Sequence, residues 1–210
     1  MSSENIIFLD AVEYALNHGG VLQSAREAVT YRLHAGKNDL NYYYFTRTVA
    51  IYFKEGSDYF VAFDDDPFEN ILISNAQQGY ELDALWYISL NNQSIANAIK
   101  RARSVGRIVP ITDNNEQKDP SIISKYIIGD KAKDYDSFIS QHLKKNLCVW
   151  TLANDNCKFI PTGKALIRVV GLGGGVFVNN VVDASILCSF HGRSRGSVTA
   201  QNLPVEAEVS

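Results

Sequence analysis

Apolar and polar positions change their period several times along the chain. Between Glu4 and Asn17 the apolar residues Ile6, Leu9, Val12 and Leu16 recur at helical spacing, Ser3 is positioned to cap, and Gly19-Gly20 would end the helix. The next stretch, VLQSAREAVTYRLH, fits two readings, helix in its first half and a strand over VTYRLH (29–34) in its second. The strongest pattern is a hairpin. YYYFTRTVAIYF (42–53) and DYFVAF (58–63) are rich in β-formers and flank the turn KEGS. DDDPF closes the second strand, because Pro67 cannot donate to a ladder.

Further on, NILIS (70–74) and LDALWYISL (82–90) read as strands, NNQSIANAIKRARSVG as a helix closed by Gly106, and RIVPI as a brief strand. A polar loop, TDNNEQKDP (112–120), leads to a helix around DYDSFISQHLKKN, with acids at its start and lysines at its end as the helix dipole favours. LCVWTL reads as a strand, NCKFIPTGKALIRVVG as part helix, and VFVNNVVDASILCSF as one or two buried strands. From Gly192 the chain is polar and aperiodic. The expectation is an α+β fold, a mainly antiparallel sheet with flanking helices, in a single domain over 1–191 with a flexible tail over 192–210.

Composition supports this picture. Of 210 residues, 46% are hydrophobic and 20% charged, which suits a packed core, and 11 Tyr and 10 Phe favour β-structure. A net charge of -3 argues against a strongly cationic nucleic-acid footprint and leaves a local patch open. Three widely spaced cysteines, Cys148, Cys157 and Cys188, argue against a disulfide framework, and no C-x-x-C pair suggests zinc. MSSENIIFLDAVEY lacks a basic leader, and no run of about 18 apolar residues occurs. A cytoplasmic protein is expected.

Several motifs bear on chemistry. GLGGGV (171–176) fits neither the dinucleotide fingerprint nor the P-loop, so a turn is expected and no cofactor. Asp64 to Asp66, with Glu81 and Asp83, offer carboxylates to a hard cation, but the lysine that a metal-dependent nuclease needs is missing, and a solvated strand end is expected. Lys100, Arg101, Arg103 and Arg107 gather at one helix end, where they suit the dipole or an anion. Cys157 follows a strand and Asn156, a context in which a helix N-terminus would favour thiolate; the competing reading is a buried structural thiol.

The segment CVWTLANDNCKF resembles the region around the active-site cysteine of lecithin:retinol acyltransferase-like proteins, a circularly permuted papain-like family that includes the viral H-box/NC proteins. Trp150, Leu152, Asn156 and Cys157 fit that pattern, and Ala50, Ile51, Tyr52 and Gly56 fit the family's early hairpin. The resemblance implies a permuted papain-like topology and either a cysteine-dependent acyltransferase or hydrolase, or an inactive interaction module. The family's catalytic histidine falls on Thr48, which is no base, and its second polar partner falls near Ala62. An active version would need a base from elsewhere, with His34, His142 and His191 as candidates. Two other readings stand beside it: a non-enzymatic binding or assembly protein of viral or mobile-element type, with a protein partner, and a nucleic-acid-binding protein using the basic cluster.

Overall fold

The computed structural model describes residues 23–41, 43–65, 86–111, 120–144, 147–151, 157–173, 181–183 and 194–196. The expected helix over 4–17, the strand over 70–74, the loop over 112–120 (all but Pro120) and most of the polar stretch from Gly192 lie outside these residues.

The ambiguous stretch resolves as one helix, α1 (Ala25–Ala35), and no strand forms over 29–34. Its start is written in the sequence as Ser24-x-x-Glu27. The Ser24 hydroxyl accepts from the Glu27 N–H, and the Glu27 carboxylate accepts from the Ser24 N–H, so two otherwise orphaned donors are satisfied. A 3-10 turn, Lys37–Asn41, then leads into the expected hairpin, β1 (Tyr43–Glu55) and β2 (Asp58–Asp64). The two-residue turn has Gly56 at a φ of 64°, which its first central position requires.

Next come β3 (Trp86–Ser89), α2 (Gln93–Ser104) and β4 (Ile108–Ile111). Asn92 caps α2 through the N–H groups of Ser94 and Ile95. α3 (Pro120–Ile128) has no counterpart among the expected elements; it begins on a proline whose missing N–H costs nothing there. After it follow α4 (Ala132–Leu143), β5 (Cys148–Trp150), β6 (Lys164–Leu172), β7 (Val181–Asp183) and β8 (Ser194–Gly196).

β6 corrects the expectation of part helix after Cys157. The chain turns over residues 158–163 and enters a strand that is buried from Ala165 to Leu172. A strand covered on both faces carries a continuous apolar run without alternation, and such a run cannot be told from a buried helix by period alone.

The eight strands among the described residues form one sheet in which β1 and β6 are the long antiparallel central pair. Each changes its outer partner half-way. On the far edge of β1, β2 pairs with Val49–Glu55 and β8 runs parallel to Tyr43–Phe45. On the far edge of β6, β3 pairs with Lys164–Ile167 and β7 with Gly171–Leu172. β4 extends the sheet beyond β2, and β5 runs parallel to β7. Most pairings are antiparallel, as expected. β8 falls in the stretch expected to be a loose tail, and its three residues are part of the sheet.

α1, α3 and α4 bury one face of this sheet. Ala28, Val29, Ile127, Ile128, Tyr135 and Ile139 join Ala50, Tyr52, Val61, Phe63, Leu166 and Val170 in one core. The alternate positions Val49, Ile51, Ala62, Ile167 and Val169 are buried as well, and α2 lies against β2.

Candidate functional site

Where β1 changes partner, its pairing with β6 slips. Phe45 faces Gly171 and Val49 faces Val169, so Thr46, Arg47 and Thr48 stand opposite Val170 alone. A bulge of this kind frees backbone groups and re-aims side chains. The Thr46 hydroxyl donates to the Val170 carbonyl at 2.6 Å, and the Arg47 N–H leaves the sheet to reach the Gln23 carbonyl at 2.9 Å. The Thr48 hydroxyl accepts from the Ala25 N–H at 2.8 Å and donates to Asp65 Oδ1 at 2.6 Å. The bulge thereby ties the start of α1 to the end of β2.

Asp65 is also the partner of Arg107, which grips both its oxygens at 2.5 and 3.2 Å. The same guanidinium donates to the carbonyls of Tyr126 and Ile127, two of the last in α3, which lack partners within the helix. Asp64, 7% exposed, takes two hydrogen bonds from Arg101, and Arg103 pairs with Glu55 at 2.7 Å. Asp64 and Asp65 are therefore not a free strand end: Asp64 holds Arg101, whose side chain stays exposed, and Asp65 holds the half-buried Arg107. Of the four cations near the end of α2, Lys100 is exposed and the three arginines are joined to acids. Among the described residues no group of acids, histidines and cysteines is arranged to hold a metal ion.

A second polar cluster lies just beyond the bulge, where β6 ends at Leu172 and Gly173 follows. Arg32, fully buried on α1, donates to Asp39 Oδ2 at 3.3 Å, to the Tyr135 hydroxyl at 2.6 Å and to the Gly173 carbonyl at 3.0 Å. Its guanidinium also sits 4.7 Å above the centre of the Tyr44 ring, while the Tyr44 hydroxyl donates to Asp39. Burial, then the neighbouring Asp39 carboxylate, holds the Tyr44 phenol well above the usual tyrosine range. Burial opposes the charge on Arg32, but Tyr135 and Asp39 outweigh it and raise its pKa. In the sequence this arginine lies in VTYRLH, expected as a strand, and no local pattern marks it; its partners come from the 3-10 turn, α4, β1 and the residue after β6.

Cys157 is fully buried in the apolar core cluster with Ile160. It is a free thiol, and desolvation pushes its pKa up to about 11. The helix expected to follow it and to favour thiolate is a turn. Two of its candidate bases, His34 and His142, have other contacts. His34 is exposed in the last turn of α1, with Nδ1 donating to the Thr30 carbonyl at 2.7 Å, and His142 packs edge-on against Phe138 on α4. Trp150 ends β5, opposite Asp183 of β7. Asn156 and His191 lie outside the described residues.

The hairpin residues that carried the family resemblance serve packing. Ala50, Ile51 and Tyr52 are sheet core, and Gly56 makes the turn. A β-rich core reproduces such short apolar words without the chemistry.

No protein-family model matches the chain, and no curated protein matches it in sequence. A solved structure from Nanoarchaeota, in which the C-type lectin fold accommodates massive sequence variation, superposes with a TM-score of 0.58 at 12% identity, over 86% of this chain and 88% of the other. That likeness overturns the permuted papain-like reading and, with it, the acyltransferase or hydrolase that the reading implied. The chain shares the C-type lectin fold.

Proposed function

We propose that the chain is a non-enzymatic binding module. The observation that carries this reading is its likeness to a protein whose C-type lectin fold accommodates massive sequence variation. A frame whose charges are satisfied internally tolerates change in the stretches that connect its strands, and binding groups are often carried on such stretches. Here the bulge, Asp65, Arg107 and Arg32 are engaged with one another or with backbone. Recognition is assigned to the stretch 66–85, which lies in sequence between β2 and β3. Its sequence combines Phe68 and Tyr80 with Asn70, Asn75, Gln77 and Gln78, a mixture that suits a protein partner.

The free thiol of Cys157 favours a reducing compartment, and the cytoplasm is the proposed location. No helix among the described residues is long and apolar enough to cross a membrane.

The test uses two measurements on one preparation. Retention on a surface of immobilised purified proteins and glycans should survive Cys157→Ala and fall when Phe68 and Tyr80 are changed to Ala. Hydrolysis of p-nitrophenyl esters by the native chain, lost in Cys157→Ala, would refute the reading.

A further inference from the structure

We draw no further inference here: the strongest candidate, the unanswered buried polar atoms Gln23 Oε1 and Arg47 Nε beside the β1 bulge, carries nothing, because nothing in the structure shows what covers them and the helix N-terminus next to them is already closed by Ser24, Glu27 and Thr48.

Discussion

Thr48 donates a 2.6 Å hydrogen bond to Asp65, 17 residues further along the chain, and through it the bulge of β1 fixes the end of β2. The same hydroxyl accepts the first N–H of α1. One buried oxygen therefore serves a helix start and an ion-paired carboxylate at once.

Replacing Thr48 by Val keeps the shape and deletes the hydroxyl. The Ala25 N–H loses its acceptor and Asp65 loses one donor, at a cost of about 1–3 kcal/mol for an unsatisfied buried group. Urea denaturation should show that loss, and Thr48→Ser should recover most of it. A Thr48→Val protein as stable as the native one would mean that this bond does not hold α1 to the sheet.

Three arginines once grouped together should separate by burial. Arg103 and Glu55 are both more than half exposed, so Arg103→Ala should cost no more than about 0.5 kcal/mol. Arg101→Ala leaves the buried Asp64 without its bidentate partner and should cost more. Arg107→Ala should cost most, because it releases Asp65 and two carbonyls of α3 together. Thermal melts of the three variants give the order directly, and an equal effect at all three sites contradicts this assignment.

The Arg32 cluster predicts a thermodynamic asymmetry. Arg32→Met strands a buried Asp39 and should cost about 3–5 kcal/mol, as one-sided removal of a buried ion pair does. The double variant Arg32→Met with Asp39→Leu should be less destabilised than the sum of the two single changes. A double-mutant cycle with no coupling would show that the two residues do not depend on each other.

Cys157 should behave as a core residue. With a pKa of about 11, roughly one thiol in a thousand is ionised at pH 8, so iodoacetamide should modify it far more slowly in the native chain than in urea. The folded pKa lies above the unfolded value, so the unfolded chain loses this proton first as pH rises. The stabilisation is complete below about pH 9 and is lost as pH climbs towards 11. The stability gap between native protein and Cys157→Ala should narrow across that window. Rapid native alkylation at pH 7 would contradict a buried, neutral thiol.

Because Arg101, Arg103 and Arg107 are joined to acids, this surface should not bind nucleic acid as a phosphate track. Fluorescence anisotropy with a single-stranded DNA 20-mer should show weak binding at 50 mM salt, unchanged by Lys100→Glu. Tight binding that falls steeply with salt and with that substitution would revive the nucleic-acid reading.

The hairpin was legible because its alternation, β-branched and aromatic content and glycine turn all act within about 20 residues, a range over which local preference dominates. The capping box at Ser24 and Glu27 is equally local, and it outweighs the β-like VTYRLH that follows. The central strand β6 was not legible, because two-sided burial erases the period that marks a strand. The words around Cys157 misled because they consist of residue types that any β-rich core selects.

By itself, the sequence determined the α+β class, the hairpin, the α2 helix ending before Gly106 and the presence of a sizeable apolar core, since each depends on short-range spacing and composition. Only the tertiary structure decided that Thr48 is a joint rather than a vacant histidine position, that Asp64 and Asp65 claim the basic cluster, and that Cys157 is buried and neutral. Those outcomes rest on contacts between residues 17 to 42 positions apart and on desolvation, and a linear pattern encodes neither.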